Sequence, residues 1–179
     1  MGTSRGYLDA MAWILGKKSW NNFCKDSWHY FAIWKNSYSL SFKTIYADAQ
    51  KALRDIGADP ENKTIYWHKV PYDNAWMRDN GPIYVLNNNE LRIQNWNFDA
   101  WGGAFGSDIS FKLDNAVPDK VGAILDVAVD HIDIVHERGN LEFNGSDTVI
   151  LNWSTIGDPS RNLNYDKKQA ELDLKKHFG

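Results

Sequence analysis

Short β-type runs alternate with helix-type patterns along most of this chain, and that alternation constrains the fold more than any other feature. Asp26 is placed to cap a helix over Trp28, Phe31 and Trp34. Residues 41–46 read as a short strand. Asp48 then opens a helix with Ala49, Ala52, Leu53 and Ile56 at helical spacing, stopped by Gly57. Residues 63–70 are rich in β-branched and aromatic side chains and read as a strand. Residues 82–86 and 91–98 pair across Asn87-Asn88-Asn89, because Asn tolerates the left-handed backbone of a tight turn. A helix over 114–125 carries Pro118 in its first turn. Strands follow at 132–135 and 148–151, then an amphipathic helix over 165–178 with Ala170, Leu172, Leu174 and Phe178 on its apolar side. Such alternation predicts an α/β fold. No linker rich in Pro, Gly or Ser divides the chain, so residues 1–179 read as one continuous unit.

Composition narrows the function. The chain has 179 residues, enough for one domain with a real core. Its formal net charge of −3 offers no basic footprint, so no nucleic-acid partner is expected. No apolar run reaches the length of a membrane span or of a signal peptide's core, so no membrane association is expected either. The single cysteine, Cys24, excludes an internal disulfide. These features predict a soluble cytoplasmic protein. Nine tryptophans exceed what the other composition suggests, and both cores and clefts are lined by that residue.

Three segments carry chemistry. Asp73 to Pro82 places two acids, Arg78 and Trp76 before a Gly-Pro turn, so that Asp79 sits near an element end, where functional side chains often project. An acid beside an aromatic wall can bind a planar cation. The same pattern is met by a surface Arg78–Asp79 cluster beside a core Trp. In the second segment, Trp96-Asn97-Phe98-Asp99-Ala100-Trp101-Gly102-Gly103, aromatics alternate and then meet two glycines. Alternate positions face opposite ways, so one set can be core and the other cleft. A plain structural turn fits equally. In the third, His136 to Gly145, Glu137 ends an apolar strand and Asn144-Gly145 signals a hairpin. Glu137 is either a site carboxylate or a simple partner of Arg138.

In this order the three segments resemble the agmatine deiminase and bacterial-type (Porphyromonas-type) peptidylarginine deiminase family. Trp76-Met77-Arg78-Asp79-Asn80-Gly81-Pro82 matches its W-x-R-D-x-G-P motif. Phe98-Asp99-Ala100-Trp101-Gly102 is similar to F-N-A-W-G, with Asp99 for Asn. Glu137-Arg138-Gly139 followed by Asn144-Gly145 is similar to E-G-G…D/N-G, with Arg138 for Gly. Arg161-Asn162-Leu163 resembles R-N-P, and the stretch from Met11 to Trp20 resembles the family's opening L-A-W-P…W. The resemblance implies a pentein fold, an α/β propeller of five modules around a central cleft, of which this chain is an incomplete portion, about half. It implies hydrolysis of a guanidinium group by a cysteine thiolate, with a His as general acid. Agmatine would yield N-carbamoylputrescine on the way to putrescine, and an arginine side chain would yield citrulline. Carried over by position, Asp79 and Glu137 are guanidinium-binding carboxylates, Trp76 belongs to the cleft wall, and Trp101 and Gly102 shape its rim. Paired acceptors suit a planar cation with several donors.

The family's H-x-D segment and its nucleophilic Cys lie downstream of the motifs matched here, and no residue of this chain matches them. The chain is therefore expected to be the N-terminal half of such a deiminase. It should be inactive alone, and stable by pairing with the missing half or by homo-oligomerisation. Cys24 reads as a small apolar helix residue rather than a nucleophile. His131-Ile132-Asp133 spells H-x-D but precedes Glu137. His136 reads as a local hydrogen-bonding or exposed side chain. No His or Cys pair has metal-ligand spacing, so no metal and no cofactor are expected. The alternative is a binding module without turnover, whose acidic and aromatic cleft takes a cationic or sugar-like ligand.

Overall fold

The computed structural model of the chain describes residues 28–30, 33–35, 42–63 and 65–179. It falls into two compact units, Met1–Ala75 and Trp76–Gly179. Asp26, Cys24 and the stretch from Met11 to Trp20 lie outside the described residues.

In the first unit, strands β1 (Trp28–Tyr30) and β2 (Ile33–Lys35) precede helix α1 (Phe42–Asp55). Strands β3 (Ile65–Trp67) and β4 (Val70–Tyr72) follow. β1 pairs parallel with β3, and β2 with β4. Two expectations are corrected here. Residues 28–30 and 33–35 are extended, not helical, because aromatic and β-branched residues suit strands that have parallel partners at hand; Phe31 lies outside the described residues. Residues 42–46 are helical, not a strand, so α1 begins six residues ahead of Asp48. Its helical spacing continues backward: Tyr46 accepts a hydrogen bond from Gln50 Nε2 one turn on, at 2.9 Å, and its ring meets Trp67 edge-on at 5.0 Å. The single strand expected over 63–70 is two short ones, separated at His68-Lys69.

In the second unit, the one-turn helix α2 (Met77–Asn80) leads into strands β5 (Ile83–Asn87) and β6 (Glu90–Asn97). They form the expected hairpin. Asn87 lies opposite Glu90, and the two loop residues Asn88 and Asn89 have φ of 50° and 66°, as a tight turn of matching twist requires. The expected helix near 114–125 is split into α3 (Lys112–Asn115) and α4 (Val117–Leu125). Strand β7 (Val129–Val135) pairs parallel with β6, which makes β6 the centre of a three-stranded sheet. A β8–β9 hairpin (Glu142–Phe143, Val149–Ile150) bears out the Asn144-Gly145 turn. Helices α5 (Trp153–Ile156) and α6 (Lys167–Phe178) complete the chain. Asp166 caps α6 by accepting from Gln169 N at 2.8 Å.

The two faces of β6 explain the packing. Its residues Ile93 to Trp96 are all buried, as expected of a central strand covered on both sides. Asn95 donates to Asn115 O and to Asp119 Oδ2, on the α3–α4 side. Gln94 donates to His177 O at 2.7 Å, and Trp96 stacks on Phe178 at 5.5 Å, on the α6 side. Strand alternation thus divides one run of buried residues between two helical layers. Burying an aromatic or aliphatic side chain of this kind contributes about 1.5–3 kcal/mol.

Candidate functional site

The carboxyl ends of β6 and β7 and the short helix α2 converge on one cluster. Met77 and Asn80 are buried and anchor α2. The intervening residues Arg78 and Asp79 project from it. Arg78 forms an exposed ion pair with Glu142, a contact across to β8 instead of the Arg78–Asp79 cluster that the sequence left open. Asp79 Oδ2 accepts a hydrogen bond from Trp101 Nε1 at 3.0 Å. Trp76, at the head of α2, is 60% exposed.

The residues that present Trp101 adopt unusual backbone. Ala100, Trp101, Gly102 and Gly103 have φ of 59°, 64°, 65° and 76°. For the two non-glycine residues the left-handed region costs about 1–2 kcal/mol each. The turn persists because its surroundings hold it: Ala100 is buried, Trp101 packs edge-on against Phe98 and Phe105, and Asp99 Oδ1 accepts from Gly102 N at 2.8 Å. Only an oxygen is needed for that last bond, so Asp99 serves where the family motif has Asn.

Glu137 follows β7 and is buried. Its Oε1 accepts from Arg161 Nε at 2.7 Å. Its Oε2 is buried without a partner among the described residues. The pairing with Arg138 left open by the sequence is not formed. Arg138 instead turns into the core. It donates to Asp79 O at 3.2 Å, to Asn95 Oδ1 at 2.9 Å and to Trp96 O. Burial lowers its pKa to about 9, against the opposing pull of Glu137 and Asp79, and it remains protonated at neutral pH. Its φ is not positive, so the Gly-to-Arg departure from the motif costs nothing in the backbone. Gly139 is the residue that must stay small. A Cβ there would stand 2.1 Å from Asp79 Oδ1 and 3.2 Å from Arg78 Cγ. The loop after Glu137 therefore lies directly against the Asp79 carboxylate.

The Arg161-Asn162 pair fastens this arrangement. Asn162 Oδ1 accepts from Val135 N at 3.0 Å, and its Nδ2 donates to Val135 O and Ile156 O. The amide thus replaces a strand neighbour at the last residue of β7, two positions before Glu137. Sequence reasoning carried Arg161, Asn162 and Gly139 as motif letters without a role. Their roles depend on approaches between distant segments, which spacing along the chain does not encode.

His136 is fully buried. Asn152 fixes the orientation of the Asn140 amide, accepting from Nδ2 at 3.0 Å and donating to Oδ1 at 2.8 Å. Asn140 Nδ2 therefore also donates to His136 Nε2, at 3.0 Å, and that nitrogen carries no proton. Burial first, then Arg138 and Arg161, push the pKa of His136 down to about 4. It is a neutral, hydrogen-bonded core histidine. His131 is exposed and pairs with Asp119 Oδ1 at 3.2 Å, and Asp133 accepts from Asn97 Nδ2 at 2.8 Å. Among the described residues no group of three His, Cys, Asp or Glu could hold a metal ion. No described helix is long and apolar enough to cross a membrane.

The cluster thus brings Asp79, Glu137, Trp101 and Gly102 together from three separate segments. Each carboxylate has one oxygen held by a protein donor, an arrangement suited to a planar cation with several N–H groups. A mixed α/β unit with this constellation defines a class: the chain belongs to the Porphyromonas-type peptidyl-arginine deiminase family, whose model matches residues 10–179. A relative from Marinomonas sp. (strain MWYL1), named "Putative agmatine deiminase", is 32% identical over 168 residues, covering 92% of this chain and 45% of the relative. A Selenomonas ruminantium protein of the same name is 34% identical over 134 residues, covering 73% and 35%. Among solved structures, a C. jejuni agmatine deiminase with substrate bound aligns with a TM-score of 0.60 and 26% identity, over 73% of this chain and 37% of that one. The agmatine deiminase of Enterococcus faecalis aligns with a TM-score of 0.60 and 25% identity, over 80% and 36%. The chain therefore spans less than half the length of these relatives.

Proposed function

We propose that this chain supplies the guanidinium-binding part of a guanidine deiminase of the agmatine type, as the N-terminal portion of a pentein α/β propeller. The observation that carries this reading is the joint fixing of two carboxylates: Trp101 holds Asp79, Arg161 holds Glu137, and Gly139 lets the two loops touch. In the proposed reaction a cysteine thiolate attacks the guanidinium carbon, and ammonia leaves with a proton from a histidine. Water then hydrolyses the covalent thiouronium, releasing N-carbamoylputrescine and the thiol. Asp79 and Glu137 would orient the cation for that attack, with Trp76, Trp101 and Gly102 bounding the cleft. No residue of this chain matches the nucleophile or the general acid, and His136 is neutral and engaged. We therefore place both groups outside residues 1–179, in a C-terminal portion that pairs with this one or in the setting of a homo-oligomer. The setting is cytoplasmic putrescine biosynthesis, and the chain alone would bind agmatine without releasing ammonia.

One observation favours a second reading, a binding module without turnover. Arg138 and Arg161 place two fixed positive charges beside the two acids, which weakens the attraction for a cation and leaves room for a neutral, sugar-like ligand. Calorimetric titration separates the readings. Asp79→Asn removes a charge-assisted bond worth about 1.5–3 kcal/mol, so agmatine affinity should fall at least about tenfold. Equal affinity in the parent chain and Asp79→Asn would remove the guanidinium reading.

A further inference from the structure

Glu137 bears a guanidinium before any ligand arrives. The contact from Arg161 is one-pronged, Nε to Oε1 at 2.7 Å, between side chains that are 11% and 6% exposed. Glu137 Oε2 is buried and has no partner among the described residues. A buried carboxylate oxygen without a donor is costly, and such a group invites one.

Arg161 is itself held from several sides. Its Nη1 lies 3.4 Å from Asp158 Oδ2. Asp158 Oδ1 in turn accepts from Ser160 N and Ser160 Oγ, both at 2.8 Å. Gly102 presses against the same guanidinium: a Cβ there would stand 3.1 Å from Arg161 Nη1, 3.3 Å from its Cγ and 2.5 Å from Ser160 Oγ. Gly102 directly follows Trp101, the donor to Asp79. One continuous line of contacts thus runs from Asp79 through Trp101, Gly102 and Arg161 to Glu137. This gives the Gly102 of the motif a specific task, which is to leave the Arg161 head its seat.

We propose that Arg161 is a positioning residue: its side-on Nε contact fixes the Glu137 carboxylate so that Oε2 alone is left to meet a guanidinium ligand. This rests on the reading of the site as a guanidinium clamp. The planar fork serves Glu137 and Asp158 at once, which the compact ammonium of a lysine does not.

The test begins with Arg161→Ala, which opens a guanidinium-shaped seat between Gly102, Asp158 and Glu137. Low-millimolar ethylguanidinium should raise the Tm of Arg161→Ala by at least about 2 °C over equimolar ethylammonium, and by more than it raises the Tm of the parent chain. Agmatine affinity, read by calorimetry, should fall at least about tenfold in both Arg161→Ala and Arg161→Lys. Ethylguanidinium should then act with opposite signs, competing with agmatine in the parent chain and strengthening agmatine binding to Arg161→Ala. A merely structural arginine would not produce that reversal. Absence of the ethylguanidinium-specific Tm rise, or unchanged agmatine affinity in Arg161→Lys, overturns the proposal. If the parent chain does not bind agmatine, the clamp reading fails, and the Tm comparison still decides the role of Arg161. If Arg161→Ala does not fold, Arg161→Lys carries the agmatine comparison, since it keeps the stem and the charge.

Discussion

Gly139 shows how a single atom can decide the site. Its missing Cβ leaves the space that Asp79 Oδ1 occupies. Gly139→Ala should therefore push the Asp79 carboxylate from its bond with Trp101, destabilise the chain by about 1–3 kcal/mol in urea unfolding, and weaken agmatine binding. His136 sets a pH dependence at the same scale. Its folded pKa is about 4 against an ordinary 6.5. A depressed histidine pKa means that the unfolded chain binds the extra proton, so this contribution is complete above pH 6.5 and is lost as pH falls toward 4. Between pH 7.5 and pH 5 it should remove about 2 kcal/mol. Chemical denaturation at the two pH values checks this, and His136→Gln should flatten the slope over that window. Asp79, Glu137, Trp101 and Gly102 fall in segments that the sequence marks through the family resemblance, and the structure brings those segments together. The burial of Arg138 was not legible, because an arginine beside an acid reads locally as its partner. Only the packed structure shows it reaching Asn95 and Trp96 instead.

Among the elements, those with strong local signals were read correctly. Asn88 and Asn89 set the β5–β6 turn, and Asp166 caps the last helix. The elements misread in type lie at residues 28–30, 33–35 and 42–46, where aromatic residues fit either period and the strands take their identity from parallel partners more than thirty residues away. Between β7 and Glu137 the decisive element is side-chain made. Asn162 supplies three hydrogen bonds, two of them to Val135, where β7 ends. Asn162→Ala leaves those part-buried backbone groups unmet and should cost about 1–3 kcal/mol. Amide exchange should show the loss concentrated at Val135 and His136, with β5 and the hairpin turn protected as before.

At the scale of the whole molecule, the family membership is plain, while this chain spans 45% of its Marinomonas relative. We propose that this span recognises the cation and that residues outside it break the bond. In this proposal Asp79 receives the guanidinium, and Trp101 provides a reporter because its indole N–H donates to the same carboxylate. The most direct measurement is to titrate agmatine into the isotope-labelled chain and follow the Trp101 indole N–H resonance. The expected result is a saturable shift of that signal, with the affinity found by calorimetry, its midpoint moved to at least about tenfold higher agmatine in Asp79→Asn. Agmatine binding that leaves the Trp101 indole unmoved, or an unchanged midpoint in Asp79→Asn, would contradict it.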